Sequence, residues 1–499
     1  MPDLEFDGTS VDLGDGLVVR AAGYAGSARR VDTAAGPGLR AAGGTSEALQ
    51  AAMDRAEMET VYVVEVEAAP LDFAADANRA IGGQVGAIQL DVPQPPQDYE
   101  QAVLSVDEHG VTTWSFAPEG ERTPAARGGG AARTFTIPRT AGAPPEPGVA
   151  ADRSIVGEIG KQILKVVAFP IGRVVGNVVN GFLGQWESEH HRYGIRDFGP
   201  AAYHQPPVYF DGDVDRWQAL AKDRTLLFVH GTNSRAEGAF KALAENRMGS
   251  LRDLYGDRII AFDHLTITED PFQNVDWLIN TIPAGQSLEL DVICHSRGGL
   301  VSRALAQRTA VLPGGRSVVV KRLAFVGATN NGTILADAAH WNDYINILST
   351  VLNTLGIAVG ETVDLVLSFV RQIAVAGYTQ IPGLYAMVPG GPFLKQLGGW
   401  PRGETQYLAI ASNYEPLDHQ LGSYFNDYVK DLIFEGKEND AMVRVDSVVG
   451  TTVAGEWGET ADKLVRPGAA GIEHAFYFGD NDVADELVTW LRAGLAVPV

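Results

Sequence analysis

The rhythm of apolar and polar positions changes along the chain. Over the first 140 residues they alternate in short runs. Residues 60–67 (TVYVVEVE) set β-branched against polar side chains at period two, as a half-buried strand does. Residues 102–116 read as a hairpin turning at Glu108-His109-Gly110, and 133–138 as another strand. Residues 45–58 have helical spacing, with Thr45 or Ser46 as cap. The pattern predicts a small β-rich α+β domain over 1–140. Residues 141–152 (AGAPPEPGVAAD) carry a linker composition. From about Ile155 the spacing reads as an amphipathic helix, and 166–183 as a kinked, partly buried one, so 141–200 is expected to connect two domains. From residue 225 the runs become continuously apolar: 225–230 (TLLFVH), 258–262 (RIIAF), 288–294 (LELDVIC) and 318–326 (VVVKRLAFV). Helical segments such as 236–247 and 297–308 lie between them. Apolar strands alternating with helices predict a mostly parallel sheet covered on both faces, over 201–499.

Composition narrows the function. A length of 499 residues calls for more than one domain, and 45% hydrophobic residues suffice for full cores. The net charge of −23 lacks the basic footprint that nucleic-acid binding needs, so no nucleic-acid partner is expected. The single cysteine, Cys294, allows no intrachain disulfide. The N-terminus (MPDLEFDGTS) has no basic region followed by an apolar stretch, and a cytoplasmic location is expected. The apolar stretches 166–183 and 345–375 are too interrupted by charge, Pro or Gly to read as membrane spans.

The segment 290–301 (LDVICHSRGGLV) reads as strand, sharp turn and helix with Ser296 at the turn. It resembles the G-x-S-x-G nucleophile elbow of the α/β-hydrolases, with Cys294 in place of the first glycine and Gly298 as the second. That resemblance implies an α/β-hydrolase fold of the lipase/esterase kind. His230-Gly231-Thr232-Asn233 stands where this family places its oxyanion segment. The implied oxyanion donors are the backbone N–H groups of Thr232 and Arg297, with His230 structural rather than the base. The family's chain order is Ser, acid, His. Of His340, His419 and His474, only His474 follows a plausible acid near the chain end. Residues 439–447 (NDAMVRVDS) are similar to the N-D-G-x-V-x-x-x-S stretch carrying the acid in bacterial lipases, with Asp440 at the acid and Ala441 replacing glycine. Asp446 is the second candidate. Residues 328–333 (ATNNGT) and 389–394 (PGGPFL) also resemble lipase segments, and the likeness covers about 225–490.

Within it, 334–388 reads as an insertion. Tyr344, Leu348, Val351, Leu352 and Leu355 recur at helical spacing, as do Val363, Val366, Leu367 and Val370. These helices read either as a lid over the serine, which would suit acyl chains and touch a membrane surface, or as ordinary core. The expected activity is hydrolysis of carboxylic esters, lipid-like acyl esters first, without metal or cofactor. Phospholipid, thioester and small-ester substrates stay open. The alternative is a partner-recruiting or scaffold protein acting through residues 1–140.

Other signals are set aside. Asp211-Gly212-Asp213-Val214-Asp215 imitates a calcium loop but has Arg216 and Lys222 where that loop needs Gly and Glu. Glu187, Glu189, His190 and His191 match no zinc spacing and read as a solvated patch. Gly128–Gly130 reads as a turn or linker, and Cys294 as a compact buried residue of the elbow.

Overall fold

The computed structural model describes residues 3–5, 7–31, 47–70, 87–107, 112–117, 132–138, 160–171, 181–308, 312–337, 340, 345–346, 349, 360–376, 381–414, 434, 437–450, 463–467 and 471–495. Several sequence expectations lie outside them: the Thr45/Ser46 cap, the turn at 108–110, the glycine run 128–130, the linker 141–152, His419, and Tyr344, Leu348, Val351, Leu352 and Leu355. Of Val363 only the backbone is described.

The chain forms two compact units, Met1–Trp186 with Asn342–Thr379, and Glu187–Trp341 with Gln380–Val499. The first unit is built on two antiparallel sheets. Its strands are β1 (Asp3–Leu4), β2 (Val11–Gly14), β3 (Leu17–Arg20), β4 (Tyr24–Val31), β5 (Glu59–Pro70), β6 (Ala87–Pro93), β7 (Tyr99–Asp107), β8 (Thr112–Ser115), β9 (Ala132–Pro138) and β10 (Gly160–Pro170). One sheet has the order β1-β4-β5-β10-β7-β8 and the other β2-β3-β6-β9. Leu17, Val19, Ala28, Val64, Leu90, Val103, Phe135, Leu164 and Val166 fill the core of this unit. The hairpin, the strands and the helix Glu47–Arg55 stand where the periodicity places them.

One expectation is corrected here and another is narrowed. Where the spacing predicts a helix from about 155 and over 166–183, the described residues Gly160–Pro170 form strand β10, paired along its length with β5 and β7; 155–159 and 172–180 lie outside the described residues. Its β-branched Ile163, Val166 and Val167 suit a pleated surface, and Leu164, Val166, Val167 and Phe169 are fully buried. A centrally placed strand buries both faces and so loses the alternation that would reveal it. The next described element is the helix Phe182–His190. The second difference concerns the insertion. Its long described helix, Gly360–Ala376, belongs to the first unit and packs on the helix Glu47–Arg55 and on β7, while the short helices Ile334–Ala336 and Pro382–Tyr385 at its ends belong to the second. Val366, Leu367, Phe369, Val370 and Ile373 form its buried face. Trp114 of β8 donates its backbone N–H to Asn346 Oδ1 (2.8 Å) and its indole N–H to Ser349 Oγ (3.0 Å). The described helix Gly360–Ala376 is thus core of the first unit.

The second unit is a seven-stranded sheet. Its strands are β11 (Gly194–Asp197), β12 (Thr225–Val229), β13 (Ile259–Asp263), β14 (Ser287–His295), β15 (Ser317–Val326), β16 (Gln406–Ile410) and β17 (Lys463–Val465). The order is β11-β13-β12-β14-β15-β16-β17, parallel throughout except for antiparallel β11 at the edge. The apolar runs all fall on its parallel strands, as expected. The segment expected as one helix over 236–247 is split into Ala236–Phe240 and Glu245–Tyr255. The latter packs with the terminal helix Asn481–Leu495, while Pro271–Thr281 packs with Gly298–Gln307. Asp270 caps Pro271–Thr281 through a capping box with Gln273. Among the described residues no helix is long and apolar enough to cross a membrane.

Candidate active site

Ser296 sits between β14 and the helix Gly298–Gln307 with φ of +53°, a left-handed conformation that a serine adopts only where its surroundings enforce it. The enforcement is visible. The Ser296 N–H donates to Val326 O of the neighbouring strand (3.1 Å), and Ser296 O accepts from Gly299 N (3.0 Å). A Cβ on Gly298 would lie 2.5 Å from the carbonyl oxygens of Val229 and His230, and one on Gly231 would lie 2.6 Å from Ser296 Cβ. These contacts demand the small residues that the sequence supplies. Cys294 is fully buried opposite Val229 and Phe325 and donates to Ala324 O (3.3 Å). Burial pushes its thiol up to about 12, which removes it as a nucleophile.

His474 Nδ1 and Asp440 Oδ2 are 2.9 Å apart, and the His474 N–H donates to Asp440 O (2.9 Å). Asp440 is fully buried. Its Oδ1 accepts from Met442 N (3.1 Å) and Val443 N (2.7 Å), and its Oδ2 also accepts from the Tyr477 hydroxyl (2.9 Å). The pair lies beside the elbow. The His295 ring, next to Ser296, packs tilted against the His474 ring with centroids 4.7 Å apart, and its Nε2 donates to His474 O (3.0 Å). Burial and the neighbouring His474 lower the His295 imidazole to about 3, so it stays neutral. Asp446, the second candidate acid, is paired instead with Arg444. Ala441 has φ of +78°, a conformation that favours glycine.

Among the described residues, neither the Thr232 nor the Arg297 backbone N–H is taken by an acceptor in the chain. Both are free to donate. His230 is fully buried and held down to about 4 by that burial. Its Nε2 accepts from His264 N (3.1 Å), which places its proton on Nδ1, donating to Gly231 O (2.9 Å). A neutral, doubly bonded imidazole is structural, as the sequence suggested.

Other contributors escape the sequence reading. Tyr477 belongs to no motif, and His295 fills a position that the elbow pattern leaves unspecified. The Arg297 guanidinium is fully buried and donates to Asn274 Oδ1 (3.0 Å), Glu269 O (2.5 Å) and Gly383 O (3.3 Å). Glu187 corrects an expectation. It is buried rather than solvated and accepts from the backbone of Thr266, Ile267 and Thr268. A signal was present, because Leu183, Trp186 and Glu187 fall at i, i+3, i+4 on one helical face, and all three are buried. In the rejected calcium-like segment, Asp213 caps the helix Val214–Leu220 and Asp211 accepts from Ile195 N (2.6 Å).

The chain belongs to the family described as a domain of unknown function, DUF7379, which matches residues 190–492. No curated protein matches the sequence. Among solved structures, Bacillus licheniformis lipase BlEst2 in mature form is similar at 16% identity over 55% of this chain and 92% of that one, with a TM-score of 0.32. Lipase 1 from Pelosinus fermentans is similar at 10% identity over 55% and 99% of the two chains, with a TM-score of 0.38. Phospholipase PlaB from Legionella pneumophila is similar at 14% identity over 45% of each, with a TM-score of 0.29. None of these superpositions is close.

Proposed function

We propose that this protein is a serine hydrolase of the α/β-hydrolase fold that cleaves carboxylic esters. The observation that carries this reading is the bonded Asp440–His474 pair beside an elbow that holds Ser296 at positive φ. Ser296 attacks the acyl carbonyl. His474 takes its proton and returns it to the leaving alcohol, while Asp440 fixes the tautomer with the proton on Nδ1 and stabilises the imidazolium. The Thr232 and Arg297 amides receive the oxyanion. Acyl-enzyme formation and hydrolysis then follow with no metal or cofactor in the scheme.

A fluorophosphonate read by intact mass tests this directly, because it needs an activated serine and little else. Wild type gains one adduct and Ser296→Ala gains none. Equal labelling of both, or no labelling of folded wild type, defeats the proposal. A nitrophenyl ester series of increasing acyl length then reads the substrate class. Turnover rising with chain length supports lipid-like acyl esters, and a steady fall assigns small esters.

A further inference from the structure

We propose that Glu187 is a positioning residue for the oxyanion hole, acting on both of its arms through the loop 264–270. This rests on the serine-hydrolase reading above. The Glu187 carboxylate is almost wholly buried and gathers the donors of that loop. Oε1 accepts from Thr266 N (2.5 Å), Ile267 N (2.8 Å) and Thr266 Oγ1 (3.3 Å), and Oε2 from Thr268 N (2.8 Å) and Thr268 Oγ1 (2.6 Å). A loop is ordinarily the least fixed part of such a fold, and three successive amides closing on one buried carboxylate remove that freedom.

The same loop grips both donor segments. Thr266 gives its hydroxyl proton to Glu187, which leaves its oxygen to accept the Asn233 N–H (3.1 Å). Asn233 has φ of +55° and directly follows Thr232, so this bond fixes the turn that aims the Thr232 amide. On the other side Glu269 O accepts from Arg297 Nη2 (2.5 Å), tying down the side chain of the residue whose amide is the second donor. Glu187 is also the leading acidic influence on the buried Arg297 guanidinium, which burial lowers to about 10. One carboxylate thus sets the separation and aim of two amides to which it is not itself bonded.

Glutamine at 187 keeps the shape but sets an N–H₂ group against N–H donors. In Glu187→Gln the kcat for a nitrophenyl ester falls by about tenfold or more, a fraction of the ~10²–10³ lost with an entire oxyanion donor. KM stays within about twofold, since the oxyanion exists only beyond the ground state. The inhibition constant of a trifluoromethyl ketone, whose adduct carries an oxyanion, rises by the factor that kcat falls. Thr266→Val reproduces the pattern and Thr266→Ser restores it. Thr266→Val also carries the test if Glu187→Gln does not fold. Folded variants with wild-type kcat and inhibition constant, or with only a lower melting temperature, overturn the role of Glu187. Failure of wild type to label with fluorophosphonate overturns the hydrolase reading itself, so the two failures are distinguishable.

Discussion

At the scale of single residues, the site depends on backbone conformations that most side chains resist. Ser296 accepts its conformation because glycines at 231 and 298 leave room that no other residue would leave. Ala441 holds a left-handed conformation next to Asp440. Ala441→Gly should therefore stabilise the protein by ~1 kcal/mol, as relief of a strained non-glycine position does. Urea unfolding reads this, and fluorophosphonate labelling should be retained. The buried imidazole of His230 makes a second prediction. Its pKa is about 4 when folded, against 6.5 when exposed. Between those values the unfolded chain binds more protons, so stability falls as pH drops below 6.5. The loss is on the order of 3 kcal/mol by pH 4. His264, lowered by its own burial, acts in the same sense, and Asp263, raised by burial, opposes it. The urea midpoint should decline from pH 7 to 5, and less steeply in His230→Gln, whose amide oxygen can replace Nε2 as acceptor. Equal slopes would assign the decline to other groups.

At the scale of elements, legibility followed burial on one face or two. The parallel strands of the second unit were readable as apolar runs because glycine and proline punctuate them, and the elbow was readable because sterics leave so few residues to choose from. Asp440 and His474 came through chain order and local resemblance. Strand β10 was misread because Val166, Val167, Ala168 and Phe169 run on apolar into a further apolar stretch. Tyr477 and His295 were invisible because their roles depend on which loops meet, a property of the assembled sheet. Strand β10 also buries Lys165, whose ammonium is lowered to about 8 by desolvation. Below pH 8 it is charged in both states and its burial cost is present in full. Above that, the folded protein releases a proton that the unfolded chain keeps up to about 10.5, so stability rises with pH. Lys165→Met should flatten the rise in urea midpoint between pH 8 and 10 and unfold later than wild type at pH 7. A variant tracking wild type at both would refute this.

At the scale of the whole molecule, the helix Gly360–Ala376 belongs by packing to the unit formed from the first 186 residues, although its sequence neighbours lie in the other. Residues 187–499 retaining this insertion should aggregate, because Val366, Leu367, Phe369, Val370 and Ile373 would lose the surfaces that cover them. The same segment with 342–379 replaced by a Gly/Ser linker should run as a single species on gel filtration and still label with fluorophosphonate. The reverse outcome would show that the insertion is needed by the sheet unit rather than by its own.

The division of the first unit into two stretches of chain also bears on biosynthesis. A ribosome delivers residues in order, and domains ordinarily complete themselves in that order. Here the opening unit must wait for residue 379, by which time β11 to β15 have already emerged but β16 and β17 have not. Two unfinished structures therefore coexist on the nascent chain, and the serine emerges well before the histidine that would activate it.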